Sequence, residues 1–211
     1  MSKKIGMMKI AGRMSVLFIL ALSSGCATTA RLTADPMPRL SNPTPKNLTV
    51  LAEATDARRN RSDQVGRHTF TVFMIPTFGV FAEDPVEKMV GGLFVEALKQ
   101  SGYQVNTVET LGEASGPVLS VQTDSIRNYL FSWLYPLGLT GGRAQLTPVL
   151  FGNDGKILWK GRSCAAWGGC PSLVYMCGFD TSLNLEMSSI MRQIMNQINS
   201  KEFIEAATPK Q

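Results

Sequence analysis

The sequence predicts an α+β domain, with a mainly antiparallel sheet and two main helices packed on one face of it. Two observations support this class. Apolar residues recur at helical spacing in two long stretches, whereas several other segments show the alternation typical of strands. The order along the chain is strand, helix, several strands and helix, which favours an α+β layer. The length of 211 residues with 44% apolar content suits one core and therefore one domain.

The first 25 residues predict an export signal. Basic residues up to Arg13 precede an apolar stretch from Met14 to Leu22, and small residues end the segment at Gly25. The apolar stretch reaches roughly 14 Å, about half of a hydrocarbon core, so it is too short to span a membrane. Cys26 follows Gly25 directly, in a pattern that resembles a bacterial lipobox, although the leucine of that pattern stands one place further out.

The lipobox resemblance implies cleavage before Cys26, which would then carry a diacylglyceryl thioether and an amide-linked acyl chain such as palmitate. Two or more acyl chains anchor a protein stably, at about 0.8 kcal/mol per buried methylene. The next residue is Ala27, not the aspartate that retains enteric lipoproteins in the inner membrane. We therefore expect an outer-membrane anchor with the folded domain facing the periplasm. The alternative is a plain signal peptide, with Cys26 an ordinary thiol.

The basic character of the chain belongs to this leader. Four of the 21 basic residues precede Cys26 and no acidic residue does, so cleavage leaves 17 basic residues against 16 acidic ones. The net charge then falls from +5 to +1. A nucleic-acid partner is not expected.

Residues 26–47 are predicted to be the lipidated cysteine and a proline-rich tether, because Pro36, Pro38, Pro43 and Pro45 interrupt a segment with little apolar periodicity. About 20 residues reach roughly 25 Å as a flexible chain and about 60 Å as polyproline II. The tether is either an inert spacer or a docking peptide.

The single domain is predicted over residues 48–207, with a tail at 208–211. Its first strand is Leu48 to Ala54, and a second extended piece runs from His68 to Ile75. A helix follows, with Asp84 as N-cap, Pro85 at the first position and Glu87 completing a capping box, and Gly102 ends it.

Later strands are predicted to begin at Tyr103, Pro117, Arg143 and Lys156. The Asp154–Gly155 pair between the last two predicts a hairpin turn. A closing helix follows from the apolar stripe between Leu183 and Ile198, whose methionines we interpret as core filler, and Asp180 can cap it.

Residues 48–205 share a layout with a known group of proteins. A strand leads into Asp56 and Arg58; Gly66, a helix ending KQSGYQV, a GPVLSVQ strand, a DGKILWKG hairpin and a last helix follow. In this layout the chain resembles the YajG-like envelope lipoproteins. The resemblance implies an outer-membrane lipoprotein and supplies no catalytic residues.

Three late cysteines, Cys164, Cys170 and Cys177, lie in CAAWGGCPSLVYMC. An oxidising periplasm permits one disulfide among them, worth on the order of 2 to 3 kcal/mol, with one thiol left over. The alternatives are three free thiols, or metal or redox chemistry. Five and six intervening residues do not match zinc knuckles, and His68 is the only histidine, so no metal and no cofactor are expected.

The segment NYLFSWLYPLGLTGG, Asn128 to Gly142, is unusually apolar for a connection between two strands. If it is a strand end and turn, its side chains cannot all face inward, and the exposed ones mark partner, lipid or membrane contact. The alternative is a core strand followed by a loop tucked under the sheet or over the last helix. The candidate binding residues are Phe131, Trp133, Leu134, Tyr135 and Leu137.

A second candidate is the loop DARRNR. Its arginines Arg58, Arg59 and Arg61 can bind phosphate or carboxylate groups of lipopolysaccharide or peptidoglycan with paired donors. The alternative is a solvated loop without a ligand.

Catalytic motifs are not recognisable. No nucleophile elbow or triad surrounds His68, and the glycine pairs lack the lysine of a phosphate loop. We expect a non-enzymatic, lipid-anchored lipoprotein that binds another envelope component, a protein or a glycan, through the aromatic loop. The alternatives are a lipid- or lipopolysaccharide-binding assembly lipoprotein and an envelope hydrolase that uses a cysteine.

Overall fold

The computed structural model describes residues 28–33, 36–40, 43–59, 63–70, 75–134, 137–173 and 179–208. The export signal, the lipidation at Cys26 and all of the tail after Thr208 lie outside these ranges. The strands are β1 (Thr28–Ala30), β2 (Asn47–Leu51), β3 (Thr55–Asp56), β4 (Gln64–Phe70), β5 (Ile75–Ala82), β6 (Gln104–Val108), β7 (Val118–Leu134), β8 (Leu137–Phe151), β9 (Ile157–Lys160) and β10 (Cys164–Leu173). The α-helices within these ranges are α1 (Val86–Gln100), α2 (Phe179–Ile198) and α3 (Lys201–Ala207).

The sheet is organised around the long antiparallel hairpin of β7 and β8. Along its other edge, β7 pairs in turn with β2, β3 and β4. Beyond them, β6 pairs with β2, β5 with β4, and β1 with β5. The far edge of β8 pairs with β9 at one end and with β10 at the other. The sheet is therefore a curled one, divided into two halves that share the hairpin.

We call the two halves the base and the tip. The base comprises residues 118–123 and 146–151 of the hairpin with β2, β3, β6 and β9. The tip comprises residues 126–134 and 137–144 with β1, β4, β5 and β10.

The sheet is mixed, and the prediction of a mainly antiparallel sheet is wrong. The pairs β1–β5, β2–β6, β2–β7, β3–β7 and β4–β7 are parallel. Two segments predicted as single strands are each two strands: β4 and β5 replace the extended piece from His68, and β9 and β10 replace the strand from Lys156. Alternation of apolar residues reports which face is buried, and it carries no information about strand direction.

Both long helices contribute to one hydrophobic core. α1 contacts β6 and β7, and α2 contacts β8 and β10. The buried stripe of α2 confirms that its methionines fill the core, since Met187 and Met191 are fully buried beside Ile190 and Ile194. Large buried side chains of the other elements include Phe94, Leu98, Leu119, Leu150 and Phe203.

The ends of α1 follow the sequence only in part. Gly102 ends the helix with φ of 101°, as expected for a residue without a Cβ. The prediction of a capping box is wrong, because no side chain caps the N-terminus of α1. Asp84 Oδ1 instead lies 3.5 Å from Lys88 Nζ. Gly91 allows close approach: a Cβ there would overlap the backbone of Ala52.

The predicted tether is bound to the domain over its described residues. β1 pairs in parallel with β5, and Ala30 is fully buried. The residues after β1 are held by side chains of both long helices: Arg31 N donates to Asp180 Oδ1 at 3.1 Å, Thr33 N to Asn184 Oδ1 at 2.9 Å and Met37 N to Gln100 Oε1 at 3.0 Å. β1 has three residues, which is too short to produce a recognisable periodicity, so it could not be predicted from the sequence.

Candidate functional site

The tip presents one sheet face to solvent. Along β7, Ile126 and Asn128 point inward and are buried, whereas Arg127 and Tyr129 alternate with them and are exposed. Strand register places further side chains beside these two, because directly paired residues share a face. We call the resulting surface the outer face; it consists of Arg67, Arg127, Tyr129, Phe131, Leu139, Arg143 and Trp167.

The outer face is apolar and aromatic at its centre. Trp167 is 77% exposed, Leu139 42% and Tyr129 40%. The rings of Tyr129 and Phe131 stack with centroids 5.9 Å apart and an interplanar angle of 23°. The expected exposure of apolar surface between Asn128 and Gly142 is confirmed for Tyr129 and Leu139. The segment is not a loop, however, because it forms paired strands up to Leu134 and again from Leu137.

For three other candidate residues, Trp133, Leu134 and Leu137, the structure describes the backbone alone. Trp133 and Leu134 end β7 and Leu137 begins β8, at the extremity of the hairpin. Their side chains, and Tyr135 as a whole, lie outside the described part of the chain. A role of these residues in partner binding stays a prediction.

The arginine loop divides into two kinds of residue. Arg58 Nε and Nη2 donate to the two carboxylate oxygens of Asp56 at 2.9 and 2.8 Å, and the two side chains are only 8% and 3% exposed. Arg58 therefore takes part in a buried ion pair within the fold, and its binding of an external anion stays a prediction. Arg59 is exposed, and Arg61 lies outside the described residues.

A cleft of about 460 Å³ connects the exposed arginine to the outer face. Arg58, Arg59 and Arg127 all line it. The acidic residue in its wall, Asp124, accepts hydrogen bonds from neutral donors: Gln122 Nε2 and Thr147 Oγ1, each at 2.6 Å, and Ser163 Oγ at 3.2 Å. The structure thus joins the two surfaces that the sequence suggested separately, through the shared residue Arg127.

The sequence analysis missed Arg127, Arg143 and Trp167. Register pairs Arg127 with Arg143 and Arg143 with Trp167, so the three form a row across three strands. A partial signal was present in β10, because Cys164 and Ala166 are apolar and small and Trp167 falls on the opposite face. Which residues lie beside one another on adjacent strands could not be predicted from the sequence, because this depends on the strand register.

Beneath the outer face, a buried polar contact ties α2 to the tip. Asn128 Nδ2 donates to Glu186 Oε2 at 3.1 Å, and Ser182 Oγ lies 3.5 Å from the other carboxylate oxygen. Glu186 is fully buried. The space for Asn128 exists because its cross-strand partner is Gly142, where a Cβ would overlap the amide.

Cys164 is a free, buried thiol. Its sulfur accepts a hydrogen bond from Gln197 Nε2 at 2.8 Å, and burial raises the pKa of the thiol. Cys164 and Cys170 both lie in β10, where six residues span about 20 Å, and a disulfide requires Cα atoms within about 7 Å. A Cys164–Cys170 disulfide is therefore wrong. Pairing of Cys170 with Cys177 stays a prediction, because Cys177 lies outside the described residues.

Three further observations concern metal ligands, membrane-spanning helices and the histidine. No group of three or more potential metal ligands comes together among the described residues. No helix in the described ranges is long and apolar enough to cross a bilayer. His68 lies in β4, and partial burial lowers its pKa.

Several solved structures are similar to this chain. A crystal structure of a DUF330 family protein from Xanthomonas campestris has a TM-score of 0.57 and 16% identity, and covers 82% of this chain and 96% of its own. A protein described as a neuraminyllactose-binding hemagglutinin homologue from Helicobacter pylori gives a TM-score of 0.46 and 13% identity, with 83% and 95% coverage. A lipoprotein from Neisseria meningitidis gives 0.32 and 16%, with 72% and 99%.

The similarity to the DUF330 protein shows that the chain adopts a known mixed α/β fold. No protein-family model and no curated protein sequence matches the chain.

Proposed function

We propose that this chain is a non-enzymatic lipoprotein of the bacterial outer membrane, anchored through Cys26, whose domain binds another envelope component through the outer face. The observation that carries the binding role is the exposure of Trp167, Tyr129 and Leu139 on one side of the tip. Exposed Trp and Tyr beside arginines have the composition of binding hot spots. The three-zone leader that ends at Cys26 supports the anchor.

A non-catalytic role is supported by the acidic side chains that already have hydrogen-bond partners within the fold. Asp124 and Glu186 each accept a hydrogen bond from another element of the fold, and Asp56 is paired with Arg58 two residues away. Cys164 is buried with a raised pKa, which lowers its thiolate fraction and hence its reactivity.

The anchor is tested by mass spectrometry of the full chain purified from a Gram-negative host. We expect cleavage before Cys26 and the added mass of a diacylglyceryl group and an amide-linked acyl chain. The variant Cys26→Ala should retain the leader and lack the lipid. An unmodified sulfur at position 26 in the wild-type product would contradict the anchor.

The binding surface is tested by in-cell photo-crosslinking. A photoreactive phenylalanine analogue at Leu139, on the outer face, should capture a protein, a glycan or a lipid of the envelope. The matched control is the same analogue at Leu185 on α2, which is 49% exposed and lies on the helix covering the opposite side of the tip. Equal capture from both positions would remove the outer face as the binding site.

Three cysteine-to-serine changes test the hydrolase alternative. A strain with Cys164, Cys170 and Cys177 all replaced should behave as wild type. Loss of function, with the folded protein still present at normal levels, would support the alternative of a hydrolase that uses a cysteine.

A further inference from the structure

The direction of β1 orients the domain relative to the anchor. β7 and β4 run towards the tip extremity, β5 is antiparallel to β4 and β1 is parallel to β5. β1 therefore runs from the side of the tip extremity towards the base, with Thr28 paired to Val80. Cys26 is two residues before Thr28, and two residues span at most about 7 Å. Acyl chains on Cys26 would thus bring the edge of the tip at Thr28 to the bilayer.

The strands of the tip carry cationic side chains without acidic ones. The sequence contains no Asp or Glu from Gln64 to Ala82, from Ser125 to Asn153, or from Lys156 to Phe179. Arg67, Arg127 and Arg143 lie within these ranges and are exposed on the outer face. Among the described residues none of the three forms an ion pair or a side-chain hydrogen bond.

Arg127 and Arg143 are directly opposite each other in the sheet. Like charges in this position disfavour the folded state, and an anion between the two guanidinium groups would remove the repulsion. Guanidinium groups bind phosphate oxygens with paired donors. Trp167, next in the row, belongs to the side chains that concentrate at the interface between headgroups and acyl chains.

We infer that the outer face docks on the phosphate-bearing headgroups of the bilayer in which Cys26 is anchored. Arg127 and Arg143 bind headgroup phosphate, and Trp167 inserts at the level of the headgroups. This inference rests on the proposed anchor and names an anionic lipid surface as the component that the outer face binds. A protein or a glycan on the same face is the outcome that would overturn it.

The full lipidated chain, reconstituted in vesicles with brominated acyl chains, provides the test, because bromine quenches a tryptophan that reaches the bilayer. The signal of Trp167 is the difference between the wild type and Trp167→Phe, a change at an exposed position. We expect it to be quenched at least about threefold more in phosphatidylglycerol than in phosphatidylcholine vesicles at low salt, and less at 1 M salt.

The double variant Arg127→Gln and Arg143→Gln should remove the preference for phosphatidylglycerol, while Arg192→Gln, an exposed arginine on α2, should leave it unchanged. An unquenched Trp167, or equal quenching in both lipids, in a preparation whose Cys26 is shown to be acylated would overturn the docking and leave the anchor intact. Capture of a protein or glycan in place of lipid from Leu139 would also overturn it, while the wider proposal of envelope binding would stand. Absence of acyl chains on Cys26 would instead remove the proposed function itself.

Discussion

The base and the tip of the sheet share one hairpin and differ in what covers it. At the base, consecutive residues from Val118 to Val121 are all buried, so both faces of β7 are covered. At the tip, buried and exposed residues alternate, and only the inner face is covered, by α2. The base therefore stabilises the fold, whereas the outer face of the tip is exposed to solvent and contributes little to stability.

The largest expected effect separates two adjacent arginines. Arg58→Ala leaves the carboxylate of Asp56 buried in β3 without its ion pair, so the free energy of unfolding should fall by roughly 3 kcal/mol. Arg59→Ala, the exposed neighbour, should change it by less than about 0.5 kcal/mol. Urea denaturation of both variants measures the difference. Similar values for the two would show that the ion pair does not stabilise the base.

Two adjacent glycines in α1 provide a second comparison, between a tightly packed position and an open one. In Gly91→Ala the new Cβ meets backbone atoms of Ala52 to Ala54, which cannot move as a side chain could, so we expect a loss of about 2 to 3 kcal/mol. At Gly92 nothing lies within 4 Å, and Gly92→Ala should stabilise by up to about 1 kcal/mol through helix propensity. Thermal unfolding distinguishes the opposite signs, and destabilisation by Gly92→Ala would contradict the packing of α1 described above.

The inner side of the tip depends on a polar contact. Asn128→Ala removes a donor to the buried carboxylate of Glu186 and should cost about 1.5 to 3 kcal/mol. Arg127→Ala, one residue along the same strand and exposed, serves as the control and should change the free energy of unfolding by less than about 0.5 kcal/mol in either direction. Hydrogen exchange of the amides of β7 should rise at the tip and not at the base in Asn128→Ala. A uniform rise along β7 would show that the two halves unfold as one unit.

The smallest expected effect is a dependence on pH. Partial burial depresses the pKa of His68 below its ordinary value of 6.5, so the unfolded chain binds a proton more readily than the folded one. Stability should therefore be fully present above about pH 6.5 and decline as pH falls below it. His68→Gln should lose this part of the slope in urea titrations between pH 5 and 7. An unchanged slope would assign it to other groups.

How far the sequence predicts the candidate site depends on the residue. The apolar segment around Tyr129 and Leu139 was found, since alternation in a strand forces some of its side chains outward. The sequence could not show that Arg58 is buried in an ion pair while Arg59 is exposed, because only the position of Asp56 in the fold distinguishes the two arginines. Trp167 joined the site through register with Arg143, a contact between residues far apart in sequence.

The sequence by itself determined the local structure: the buried stripes of α1 and α2, the stop at Gly102 and the Asp154–Gly155 turn, whose Gly155 has φ of 75°. These features depend on the periodicity and backbone preferences of neighbouring residues. Only the tertiary structure decided the parallel pairings of β7, the docking of residues 28–33 and 36–40, and the composition of the outer face. Such pairings depend on which distant segments bury each other, and a local pattern specifies which face is apolar without specifying its partner.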